Sequence, residues 1–267
     1  MRNLLIVFLL SIVCSAALIA QSPANSGVGM VSYERVLSLN GPSTSHEFTL
    51  VFGPESSLFF ETEKGEESGM IVKPSTEDEY DLSFTMSLGS VTRYIIRTDF
   101  EKDSIENQLT LLQGGRQKVF VVQEKILKTK WKIENETRMI ERFKAQKATG
   151  EFRGRKYTVW FTTEIPVKYG PWKLNGLPGL ILSAEDETNE VIFRAISIKV
   201  PYVIDPSLEG GLSFLPEAER ISLARRREIE ADFVNEVKRL FLAKLPRGAR
   251  LEFNNPTVRE IELEYEE

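Results

Sequence analysis

Hydrophobic and polar residues alternate along most of the chain. His46, Phe48, Leu50 and Phe52 fall on one face and Glu47, Thr49 and Val51 on the other, a period of two that predicts a strand between Asn40-Gly41-Pro42-Ser43 and Gly53-Pro54. Further strands are predicted at 30–37, 57–61, 82–88 and 90–99, the last carrying Val91, Tyr94, Ile95 and Ile96. Gly114-Gly115 separates 109–113 from 117–123 and predicts a hairpin. Residues 131–133 extend the same sheet. Residues 146–163 form the longest strand-like stretch, with Tyr157, Val159 and Phe161 opposite Lys156, Thr158, Trp160 and Thr162. Strands at 180–184 and 191–200 bracket a polar tip at 185–189, and the weak alternation of the second predicts burial on both faces.

The pattern changes at Pro201. Pro201, Pro206, Gly210 and Gly211 make a linker, and Pro216 suits the first turn of a helix. Ile229, Phe233, Val237, Leu240 and Phe241 then recur at helical spacing, with Arg225, Arg226, Arg227, Glu228 and Glu230 polar, so an amphipathic helix is expected over about 216–245. Thr257, Arg259, Ile261, Leu263 and Tyr265 alternate with Val258, Glu260, Glu262 and Glu264, a terminal strand with an acidic outer face. The fold class is mainly β (α+β): a strongly curved antiparallel sheet or open barrel, partly covered by one C-terminal amphipathic helix.

One stretch, 168–182, reads KYGPWKLNGLPGLIL and resists regular structure. Pro171 and Pro178 each lack a backbone donor, and Gly170, Gly176 and Gly179 permit angles that side chains forbid. Trp172, Leu174, Leu177, Leu180, Ile181 and Leu182 are interleaved with these breakers, so an ordered loop pressed against the sheet is expected. Gly176-Leu177-Pro178-Gly179-Leu180-Ile181 resembles the signature of the GLPGLI family of the Bacteroidetes cell envelope. The resemblance continues through Trp131-Lys132-Ile133, Ala148, Phe152-Arg153-Gly154-Arg155, Trp160-Phe161-Thr162, Glu164-Ile165-Pro166 and Gly170-Pro171. It implies a secreted envelope protein. Members of that family often carry a cysteine where this chain has Ala145.

The N-terminus fits such export. Met1-Arg2-Asn3 precedes an apolar run at 4–10 and small residues at Ser15-Ala16-Ala17, the build of a cleavable signal peptide over 1–20. Residues 21–29 read as a flexible start to a single domain at 30–267. Val13 stands where a lipoprotein peptidase wants a small residue, which argues against lipid on Cys14, and without Cys14 the mature chain holds no thiol. The 34 Lys and Arg against 39 Asp and Glu give a net charge of −5, and loss of Arg2 makes it −6, unsuited to nucleic acid.

Candidate chemistry is sparse. His46 is the only histidine and lies in a clean strand pattern, which favours a packed or rim position over a catalytic base, and no calcium-loop spacing occurs. No metal and no cofactor are expected. The central loop leads into a strand pattern rather than a helix N-terminus, so its glycines do not make a phosphate cradle. Arg153, Arg155, Trp160, Tyr169 and Trp172 are the candidate binding residues, for aromatics on a wet sheet face can stack on a ligand; sealing the loop onto the sheet is the competing role. Gly170, Pro171, Gly176, Leu177, Pro178, Gly179, Leu180 and Ile181 are the structural signature. The expected function is a non-catalytic envelope binding or accessory protein, exported to the periplasm or outer membrane, beside transport machinery, with an envelope protein or peptide as partner and no transmembrane span in the mature chain. The alternative is a hydrolase of envelope glycan or peptide using carboxylates near Glu164 and Asp186.

Overall fold

The computed structural model describes residues 28–39, 42–62, 71–72, 84–85, 94–114, 116–203, 213–244 and 261–263. The expected signal peptide, Cys14, residues 21–27 and most of the expected strands at 82–88 and 257–265 lie outside the described residues. The elements are β1 (Gly29–Leu37), β2 (Thr44–Phe52), β3 (Ser56–Glu61), β4 (Ile71–Val72), β5 (Phe84–Thr85), β6 (Ile95–Asp99), β7 (Ser104–Gln113), β8 (Arg116–Lys125), β9 (Lys132–Ile140), β10 (Phe143–Phe152), β11 (Arg155–Thr162), β12 (Leu180–Asp186), β13 (Val191–Lys199), β14 (Glu219–Ser222) and the helix α1 (Leu223–Lys244). The protein is mainly β. Among the described residues, twelve strands form one sheet in the order β14-β8-β7-β6-β3-β2-β1-β13-β12-β11-β10-β9, and β4 pairs with β5 apart from it. Neighbours in the sheet are antiparallel except β14 beside β8, and the sheet is not closed.

β1 joins two meanders. Gly29 lies opposite Phe52 of β2, and Met30 opposite Lys199 of β13, so the chain leaves β1 on one side and returns to it on the other. Six residues, 126–131, carry the chain from β8 to β9 on the far edge. Glu124 of β8 is ion-paired with Arg153 in the β10–β11 turn, so strands well separated in sheet order meet in space. The main core holds Val31, Tyr33 and Phe48 with Ile105 on one meander and Phe152, Phe161 and Phe193 on the other, all buried. β2 shows why simple alternation fails locally. Thr49 and Val51, on its second face, are buried too, because Val51, Phe60 and Ile95 form another cluster against Leu58 and Phe214.

Several expectations are corrected. Residues 146–163 are not one strand but the β10–β11 hairpin, turning at Arg153 and Gly154 with φ of 51° and 75°. A two-residue turn with positive φ at both positions matches the right-handed twist of its strands. The Gly114-Gly115 hairpin is present as predicted, Gln113 lying opposite Arg116. β13 is half-buried rather than covered on both faces: Val191, Phe193 and Ala195 point inward, and Ile196 is 48% exposed. The helix begins at Leu223, not near Pro216, because Glu219–Ser222 first pairs in parallel with Phe120–Gln123. Ser222 then caps α1, its hydroxyl accepting from the Arg225 amide at 3.2 Å. Leu223 and Ile229 pack on Leu109, Phe120 and Val122, which covers the β7–β8 end of the sheet. No described helix is long and apolar enough to cross a membrane.

Candidate binding pocket

The segment 163–179 between β11 and β12 is folded into the sheet end by its own backbone. The Leu180 amide donates to the Ile165 carbonyl at 3.0 Å, Ile181 to Tyr169 at 3.0 Å, and Gly176 to Lys168 at 2.9 Å. The Trp131 indole donates to the Asn175 carbonyl at 2.8 Å, and the Tyr33 hydroxyl to Ile181 at 2.5 Å. Trp172, Leu174, Leu177, Leu180 and Ile181 are buried, so the loop is pressed inward as its composition predicted. The signature residues divide by task. Gly176 takes φ of 95°, whereas a Cβ on Gly179 would lie 2.1 Å from the Thr162 carbonyl oxygen and one on Gly170 2.8 Å from that of Leu174. Pro178 is exposed, and Pro171 is buried beside Trp172, whose φ is 59°.

On the side of this loop a cavity of about 660 Å³ opens. Ile165, Pro166, Val167, Lys168 and Tyr169 form one wall, Phe52, Pro54 and Phe100 a second, Val200 and Pro201 a third, with Phe143 and Glu164 completing it. The pairing of β1 with both β2 and β13 brings Phe52 and Val200 to one end of the sheet. Tyr169 packs on Phe100 with ring centroids 5.1 Å apart and on Phe52 at 6.1 Å. Its hydroxyl is buried without a hydrogen-bond partner. Burial pushes its pKa up, and the charges of Asp99 and Glu55 add to that rise, so it stays a proton donor. Glu164 and Lys168 are exposed at the rim, and one Glu164 oxygen accepts from the Lys144 amide at 2.8 Å.

Of the candidate binding residues, Tyr169 alone lines this cavity. Arg153, Arg155, Trp160 and Trp172 are buried, which fits the sealing role and not a wet aromatic face. Trp172 lies between Phe152, edge-on at 5.5 Å, and Phe193, stacked at 6.5 Å. Trp160 is covered by the Arg138 guanidinium, 4.1 Å from its ring centroid. Arg155 reaches Asp186 at 2.6 Å, Glu190 at 3.0 Å and the Ile261 carbonyl at 3.0 Å. Arg153 pairs with Glu124, which also pairs with Lys173; Lys173 in turn meets Glu262 at 2.5 Å, and these side chains are 5% exposed or less. Glu262, expected on an acidic outer face, is therefore interior. The short segment 261–263 docks on the β10–β11 turn, where the Leu263 amide donates to the Arg153 carbonyl at 2.9 Å.

The two carboxylates of the hydrolase alternative are not brought together. Asp186 stands opposite Tyr157, and Glu164 lies beyond Thr162 at the other end of the same strand. Five strand steps alone span roughly 16 Å, against about 5–10 Å for paired glycosidase carboxyls. Burial works to raise the Asp186 pKa, but the Thr188 hydroxyl at 2.6 Å, the Val191 amide at 2.9 Å and Arg155 hold it below the usual carboxylate range. Such a group is a structural anion, not a proton donor. His46 is a rim residue, 3.1 Å from Glu61. Among the described residues no three His, Cys, Asp or Glu side chains come together as metal ligands. Phe52, Pro54, Phe100, Phe143, Val200 and Pro201 had no signal in the local pattern, since distant strand ends bring them together.

Comparison with known proteins adds a fold relationship. A family model described as N-glycanase peptide, N-terminal domain, matches residues 92–205, which contain the whole loop. Two crystal forms of PNGF-II are similar at TM-scores of 0.51 and 0.50, with 15% and 16% identity, each covering 76% of this chain and 32% of that one. An uncharacterized conserved protein from Thermus thermophilus gives a TM-score of 0.37 at 10% identity, covering 74% of this chain and 91% of that one. No curated protein matches. The likeness to PNGF-II is one of fold, and the chain corresponds to about a third of the length of PNGF-II.

Proposed function

We propose that the protein is an exported, non-catalytic binding or accessory module of the cell envelope, of the GLPGLI type, that holds an envelope protein or peptide in the pocket beside its signature loop. The observation that carries this reading is the pocket itself: about 660 Å³, walled chiefly by apolar side chains, with Glu164 its one carboxylate. The fold supports it through curvature. A flat sheet would set β8 and β9 about 48 Å apart at 4.8 Å per strand, yet the link 126–131 spans at most about 25 Å. The sheet therefore curls as an open barrel around the main core, and the pocket occupies one of its ends. The similarity in fold to PNGF-II, and the match to an N-glycanase N-terminal domain, keep the hydrolase alternative in the test rather than in the conclusion.

The experiment pairs affinity capture from native envelope with incubation on an N-glycosylated glycopeptide. Specific capture without glycan release is expected. Release of glycan that Glu164→Gln abolishes would replace this reading with the hydrolase.

A further inference from the structure

This inference rests on the binding reading and names the ligand class. We propose that the pocket takes an apolar or aromatic side chain of an extended peptide from a partner protein, with charged residues flanking that side chain set against Glu164 and Lys168. The cavity is of ordinary size for a ligand site, where volumes run from about 300 to 1,000 Å³. Its inner surface is built from the rings of Phe52, Phe100 and Phe143 together with Val167 and Val200, and the charged groups sit at the rim.

This chemistry separates three ligand classes. A sugar carries several hydroxyls, and an apolar wall with one buried hydroxyl would leave most of them desolvated and unpartnered. A fatty acid brings an apolar tail but only a negative head, which Lys168 attracts and Glu164 repels. A peptide carries an apolar side chain between cationic and anionic neighbours, so it alone matches both rim charges. Tyr169 adds a specific need. Its hydroxyl lies buried in the wall without a partner, a need that a peptide carbonyl reaching it would meet.

Calorimetric titration of the full chain tests the assignment. The probe is acetyl-Lys-Phe-Pro-Glu-amide, compared with acetyl-Lys-Ala-Ala-Glu-amide, decanoate and diacetylchitobiose. The aromatic peptide should bind about tenfold or more tightly than its alanine counterpart. Lys168→Glu, at an exposed position, and Tyr169→Phe, which removes only the unpartnered hydroxyl, should each weaken it by about three- to tenfold while the melting temperature is kept. Equal binding of the alanine peptide, indifference to both variants, tighter binding of decanoate or the disaccharide, or no binding of the peptide each overturns the proposal. Capture of an envelope partner that persists unchanged in both variants overturns it while leaving the binding reading intact. Glycan release by the parent chain that Glu164→Gln abolishes overturns both.

Discussion

Gly179 and Gly176 serve different needs, and substitution separates them. Gly179→Val drives a side chain into the Thr162 backbone and should cost at least about 1–3 kcal/mol, seen as a lowered melting temperature. Gly176→Ala meets open space, its nearest neighbour 3.8 Å away, but must hold φ of 95°, so a loss of about 1–2 kcal/mol is expected. A Gly179 variant melting like the parent would show that the close approach is dispensable. Trp172→Ala empties an aromatic site in the main core, and a loss of about 3–5 kcal/mol by denaturant titration is expected. The composition of the loop pointed to its burial, and its glycines to unusual backbone angles, though of Gly170, Gly176 and Gly179 only Gly176 takes a positive φ. The burial of Trp160 and Arg153 was not legible, because an aromatic or basic residue on a strand pattern reads alike on a wet face and a sealed one. Asp186 gives the loop-side hairpin a pH dependence. Its pKa is lower folded than unfolded, so its contribution is complete above about pH 4 and is lost as pH falls toward the folded value. Asp186→Asn should flatten that part of the acid-denaturation profile, and an unchanged profile would remove Asp186 as its source.

Elements that rest on local contacts were the legible ones. Gly114-Gly115 announced its hairpin because neither residue bears a side chain, and β2 announced itself by alternation. The β10–β11 turn was hidden for a local reason: Arg153 supplies one of the two positive φ angles, and a basic residue inside a strand-rich run gives no sign of it. β14 was hidden for a distant one, since Glu219–Ser222 becomes a strand only by pairing with Phe120–Gln123. That short strand positions α1. Ser222→Ala should cost about 1 kcal/mol through the lost cap, and a helix signal in circular dichroism that melts unchanged would show that packing on Leu109 and Phe120 holds α1 without it.

Across the molecule, buried charge ties the end of the described chain to its middle. Lys173→Met leaves Glu124 and Glu262 without their shared cation and should cost about 3–5 kcal/mol, whereas Lys156→Met, on an exposed pair with Glu187, should leave the denaturation midpoint where it is. Equal effects would mean that the interior pair is solvated in solution. The sheet order could not be read from the strand pattern, because alternation says which face of a strand is buried and nothing about its neighbour. That order sets a timetable for a newly made chain. β1 cannot acquire β13 until residue 199 exists, which at about 5–20 residues per second is about 10–40 s after synthesis begins. Over that interval Val31 and Tyr33 lack half of their final surroundings, and the β1 edge stays open to any strand that meets it. A protein made in this order exposes its first strand to mispairing until its thirteenth arrives, and a holding chaperone present during cell-free synthesis before residue 199 is added should raise the native yield more than one supplied afterwards.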